Sequence, residues 1–195
     1  LIDDHDADRV ALISRGRETT YGALREQVGN VRGGLAAQGI GAGDRVALLC
    51  GNGRYFVVSY LAIIGLGAVA VPLNPSSPAP EIERELATVS AKAVIVEPAA
   101  RHAWLAVDRA AVPSVATVVA TEDDDLPGAV SLTSLLESAP VDIVEVDEQH
   151  LAVLMFTSGT AGSPRAAMLS PGNRLANLGC GVAQDWATHM IGHEL

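Results

Sequence analysis

Short apolar runs alternate with longer, helix-patterned segments over most of this chain, and that alternation limits its fold more than any other feature. Arg45 to Cys50, Ala68 to Val71, Ala93 to Val96, Val115 to Val119 and Leu151 to Phe156 read as strands. Between them, Thr20 caps a helix over about Tyr21 to Gln38, with Leu24, Val28, Val31 and Leu35 recurring at helical spacing. Arg54 to Leu66, the amphipathic Ala79 to Ser90, Ala99 to Arg109 and Ser131 to Glu137 supply further helices. Strands that alternate with helices in this way join as parallel neighbours through crossovers. The expected fold is therefore α/β, a mostly parallel sheet flanked by helices. Leu151 to Phe156 is apolar at every position, which suits a strand buried on both faces. Ahead of the first helix, Val10 to Ser14 and Arg17 to Thr20 read as a short hairpin turning at Gly16. The proline-rich stretch Pro72 to Pro80 reads as a loop.

Charge excludes one function class. The net charge is −10, and Lys and Arg are scattered without a basic run, so the phosphate neutralisation that drives nucleic-acid binding has no source. A nucleotide substrate needs only a local donor cluster and stays open. Two cysteines, Cys50 and Cys180, make no disulfide framework, and the pattern is that of a cytoplasmic protein. Leu1 in place of Met reads as a trimmed or incomplete start, and the aspartate-rich segment from Leu1 to Arg9 is no signal peptide. Tyr55 to Val71 is uncharged, but Ser59, Gly65 and Gly67 interrupt it and Pro72 ends it. It falls short of the roughly 20 residues of a spanning helix, and a buried helix passing into a strand fits better. The acidic run Glu122 to Asp125 reads as a solvated turn.

The chemistry concentrates after the last apolar run. Thr157-Ser158-Gly159-Thr160-Ala161-Gly162-Ser163-Pro164-Arg165 brings together four hydroxyls, two glycines and one cation. Glycines let backbone N–H groups approach a polyphosphate, hydroxyls add donors, and a guanidinium takes two phosphate oxygens at once. The stretch is a polyanion cradle in composition. It is not a P-loop, because Pro164 stands where that motif needs the Gly-Lys pair. The pairs Gly41/Gly43, Gly51/Gly53 and Gly65/Gly67 do not continue into a dinucleotide fingerprint either, since Val46, Phe56 and Ala70 occupy the third glycine's place.

This loop resembles the phosphate-binding signature of adenylate-forming (AMP-binding) enzymes, a hydroxyl-Ser-Gly-Thr-x-Gly-x-Pro-Lys sequence followed by a short strand. The resemblance extends upstream through Thr20-Tyr21-Gly22-Ala23-Leu24, Gly43-Asp44-Arg45-Val46-Ala47 and the segment from Ala62 to Pro75, and it covers Leu1 to about Asn173. Phe156 and Arg165-Ala166-Ala167-Met168 are most similar to the fatty acyl-CoA synthetases of that family. Two positions depart from the pattern: Arg165 replaces a lysine, turning a point charge into a planar fork, and Pro171 replaces a histidine.

The resemblance implies the N-terminal subdomain of an adenylate-forming large domain over residues 1–174. It implies a reaction in which a carboxylate attacks the α-phosphorus of ATP, releasing pyrophosphate, after which coenzyme A takes the acyl group as a thioester. Thr157, Ser158, Gly159, Thr160, Gly162, Ser163 and Arg165 are then the cofactor-binding residues, with Mg²⁺ offsetting phosphate charge. The metal-binding acid, the ribose aspartate, the adenine segment and the lysine-bearing lid of the family have no counterpart in these 195 residues. The chain is expected to be a truncated form that is inactive alone and lacks a C-terminal portion. Residues 175–195 form an atypical tail that resembles the metal-binding helix of iron-dependent alcohol dehydrogenases. There His189 would be a metal ligand, with His193 one turn on. That tail reads as a junction. A nucleotide-binding module without turnover and a metal-dependent dehydrogenase fusion are the alternatives.

Overall fold

The computed structural model describes residues 2–122, 126–157, 165–170 and 172. The chain opens with a hairpin of β1 (Val10–Ser14) and β2 (Arg17–Thr20), antiparallel, with Ser14 opposite Arg17. Arg15 and Gly16 make the turn at φ of 51° and 76°. Two successive left-handed residues match the twist of the flanking strands. Thr20 then caps α1 (Tyr21–Ala37), its side-chain oxygen accepting from the Ala23 N–H at 3.3 Å. Four of the buried residues of α1 are the periodic set Leu24, Val28, Val31 and Leu35.

From there strand and helix alternate as β3 (Arg45–Leu49), α2 (Arg54–Gly65), β4 (Val69–Pro72), α3 (Ala79–Val89) and β5 (Ala93–Val96). Next come α4 (Arg101–Leu105), β6 (Thr117–Ala120), β7 (Val130–Ser131), α5 (Leu132–Leu136), β8 (Val153–Thr157) and β9 (Arg165–Leu169). The last seven strands form one sheet in the order β7-β6-β5-β3-β4-β8-β9. All neighbours are parallel except β8 and β9. The strands explain themselves by burial on both faces. Ala47, Leu49, Val69, Val71, Val94 and Val96 pack with α3 and Trp104 on one side. Val46, Leu48, Ala70, Ala93 and Ile95 pack with α1, α2 and α5 on the other. Successive strand residues point to opposite faces, so a run with two buried faces must be apolar throughout.

The structure corrects the predicted helix over Ala99 to Arg109. Only Arg101–Leu105 is α-helical there, behind a short 3₁₀ turn at Pro98–Ala100. Asp108 ends it. Its N–H donates to Glu83 Oε1 at 2.7 Å, and its carboxylate caps a fresh turn by accepting from the Ala110 N–H at 2.9 Å. A helix-competing Asp with two local partners outweighs the alanine-rich propensity around it. The strand β7 was not anticipated, since two residues carry no periodic signal.

An extended strap over residues 138–150 carries the chain from the β7 edge, past α1 and α2, back to β8. Asn30 Nδ2 donates to the Leu136 carbonyl at 2.8 Å, and the Arg32 guanidinium donates to the Val141 carbonyl, its Nε at 2.7 Å. The Val144 N–H donates to the Gly65 carbonyl at 2.8 Å, and His150 Nε2 lies 2.7 Å from the Gly67 carbonyl. Glycine permits the closest approach. A Cβ at Gly33 would lie 1.9 Å from the Ala139 carbonyl oxygen. Among the described residues no helix is long and apolar enough to cross a membrane.

Candidate functional site

Parallel α/β sheets present their ligand crevices at the carboxyl ends of the strands. Here that edge carries the turn after β3 at Cys50 to Gly53, the loop after β4, and the connection from β8 into β9. Register fixes the geometry of that connection. β8 and β9 pair antiparallel from Val153 opposite Leu169 to Thr157 opposite Arg165. The first and last residues of the phosphate-loop sequence therefore pair on one rung. The hairpin is anchored to the sheet through β8, where Val153 pairs with Ala70 of β4.

Of the predicted cofactor-binding residues, the structure brings together Thr157 and Arg165 in this way. Ser158, Gly159, Thr160, Gly162 and Ser163 lie outside the described residues. So do His189 and all but Gly172 of the region from 171 onward, including the tail at 175–195. Among the described residues there is no group of three or more His, Cys, Asp or Glu that could hold a metal ion.

Beside the hairpin, an open cleft of about 550 Å³ is lined by Cys50, Phe56, Tyr60, Leu73, Met155 and Leu169. Phe56 and Tyr60, one turn apart on α2, stack with ring centroids 5.8 Å apart. Cys50 offers no nucleophile to this space. Its thiol is buried and donates to the Ile95 carbonyl at 3.6 Å. Burial, with the nearby Glu97 carboxylate, pushes its pKa up to about 12.

One signature turns out to be structural. Gly43-Asp44-Arg45 sits at the amino ends of the strands, away from the loop edge. Asp44 Oδ2 accepts from Lys92 Nζ at 2.7 Å and from the Gly41 N–H at 2.9 Å. Burial alone would raise the Asp44 carboxyl, but the hydrogen bonds from Lys92 and Gly41 outweigh it and hold the group below its ordinary value. Arg45 ties down the end of α3, donating to the Val89 and Ser90 carbonyls at 2.7 Å each. This signature braces β3 against α3 and β5 and touches no ligand edge.

A doubly covered parallel sheet with the antiparallel β8–β9 pair at its rim defines an α/β domain of the kind whose ligands sit at the carboxyl ends of the strands. Residues 3–193 match the AMP-binding enzyme family, and the chain belongs to it. The chain is 32% identical over 181 residues to the naringenin synthase of Pestalotiopsis fici, covering 88% of this chain and 7% of that protein. It is 34% identical over 162 residues to a feruloyl-CoA synthase of Amycolatopsis, covering 81% of this chain and 29% of that protein. The fold matches the crystal structure of an anthranilate CoA ligase in complex with anthranoyl-AMP, with a TM-score of 0.80 and 24% identity over 85% of this chain and 32% of that one. That architecture is the N-terminal domain fold of adenylate-forming enzymes. The chain spans about a third or less of the length of these proteins.

Proposed function

We propose that this chain supplies the phosphate-gripping N-terminal part of an acid–CoA ligase. In that reaction a carboxylate attacks the α-phosphorus of ATP, the α–β bond to pyrophosphate breaks, and the acyl-adenylate then passes its acyl group to the coenzyme A thiol with release of AMP. The observation that carries the reading is the rung pairing Thr157 with Arg165, which brings the two ends of the loop sequence together at the sheet's ligand edge. Little covalent chemistry falls to such a loop. Thr157, Ser158, Thr160, Ser163 and the backbone at Gly159 and Gly162 hold the β- and γ-phosphates, and Arg165 offsets the charge of the leaving pyrophosphate. Mg²⁺ enters with ATP as its counter-ion.

For the acid, the resemblance of Phe156 and Arg165 to Met168 supports a fatty acid. The likeness to a feruloyl-CoA synthase supports an aryl-substituted acid as the second reading. The adenine, ribose and lid residues of the family have no counterpart in these 195 residues, so the chain is expected not to complete adenylation alone. The tail's likeness to a dehydrogenase helix, with His189 as ligand, stands as a separate reading that iron or zinc at one per chain would support.

The test is titration of the chain with Mg-ATP, wild type against Arg165→Ala. Loss of one charge-assisted phosphate contact is expected to weaken binding about tenfold. Binding equal in the two proteins overturns the loop's role. Acid-dependent ATP–pyrophosphate exchange by these 195 residues alone overturns their incompleteness, and the acid that drives it names the substrate class.

A further inference from the structure

A second cleft, of about 350 Å³, lies at the same sheet edge but away from the phosphate hairpin, between the tip of the β1–β2 hairpin, the start of α2 and the ends of β5 and β6. Arg15 and Arg17 enter it from the hairpin and Arg54 from the first turn of α2. Among the described residues no ion pair joins any of the three to a carboxylate. α2 opens into the cleft uncapped: Gly53 at its N-cap offers no side chain, and its first turn holds no acid. Its first backbone N–H groups are left for a ligand. On the inner wall stands Thr121, 2% exposed, whose Oγ1 has no hydrogen-bond partner. That oxygen has no solvent-accessible surface, so Thr121 forms the floor of the cleft rather than a ligand contact. Glu97 and Glu122 line the same cleft. Glu97 reaches in over Gly51, where a Cβ would lie 3.0 Å from its Oε1.

Three guanidinium groups and an uncapped helix end fit a compact anion. Two carboxylates beside them accept hydrogen bonds and would repel a second anionic group. One ligand satisfies both halves: a phosphate monoester on a hydroxyl-rich carbon skeleton. We propose that this cleft binds a sugar phosphate, with its phosphate on Arg15, Arg17, Arg54 and the α2 N-terminus, and its hydroxyls on Glu97 and Glu122. This site is separate from the loop at 157–165 and does not depend on that loop's role.

The probes are ribose 5-phosphate, inorganic phosphate and ribose, titrated into the 195-residue chain by calorimetry. Saturable one-to-one binding of ribose 5-phosphate is expected, about tenfold tighter than inorganic phosphate, with ribose alone silent. Arg54→Ala and Arg17→Ala are each expected to weaken it about tenfold, and Arg165→Ala to leave it unchanged. Arg17 is exposed on the hairpin, so the circular dichroism of Arg17→Ala should match the parent's and its effect on binding reads the site rather than the fold. No saturable binding overturns the proposal. So does binding that only Arg165→Ala weakens, which would place the ligand in the phosphate hairpin, and so does binding indifferent to Arg54 and Arg17.

Discussion

Glu85 shows how one residue can set the acid response of the fold. It lies on the buried side of α3, 8% exposed, with Oε2 unpaired. Burial, then repulsion from Glu81, pushes its pKa up to about 7 from an ordinary value of 4.5, against a smaller pull from Arg84. The folded chain therefore keeps a proton that the unfolded chain releases as pH rises from about 4.5 to 7. Stability from this group is full below 4.5, declines across that window and levels off above 7. Glu85→Gln, neutral at every pH, is expected to flatten the decline, with a gain on the order of 1–2 kcal/mol at pH 8 seen as a higher urea midpoint. Equal pH profiles for the two proteins would show that the carboxylate reaches water. Residues like this one were not legible in the sequence, where Glu85 reads as part of a charged helix face. Its burial follows from where α3 lands on the sheet. The loop residues were legible for the opposite reason: Thr157 to Arg165 are contiguous, and their chemistry is local. The members of the second cleft come from four separate segments, and only the fold brings them together.

At the scale of elements, the inner strands of the central sheet were legible because two-sided burial keeps their buried positions apolar. β3 and β5 fall within a residue of their expected bounds. Helix α4 was not, since its alanines favour a longer helix than Asp108 allows. The glycines of α1 carry a message the periodicity missed. Gly29, Gly33 and Gly34 read as weak spots in a helix, yet they form the seat on which the strap and α5 lie. Gly33→Ala would gain helix propensity of nearly 1 kcal/mol in isolation. In the protein its methyl meets the Ala139 carbonyl oxygen at 1.9 Å, and a backbone cannot step aside cheaply. The net effect expected is a loss of about 2 kcal/mol in chemical denaturation. A gain instead would mean that the strap lifts from α1 without penalty.

Over the whole molecule, the sheet order places β3 at the centre and the β8–β9 hairpin at one rim. β3 lies between β4 and β5, each in register over four residue pairs, with side chains buried on both faces. β7 and β9 close the two edges. Amide exchange is expected to follow that order, slowest in β3 and β5 and fastest in β7 and β9. Mass spectrometry of exchanging peptides measures it, and a β9 as protected as β3 would contradict it. This ordering was only half visible in the sequence: alternation implies parallel neighbours, but it does not say which strands end up outermost. The strap then acquires a meaning beyond packing. Because it carries the chain from the β7 rim to β8 while held to α1 and α2, a change in its length would be felt first by the β8–β9 hairpin at the rim and last by the sheet's centre.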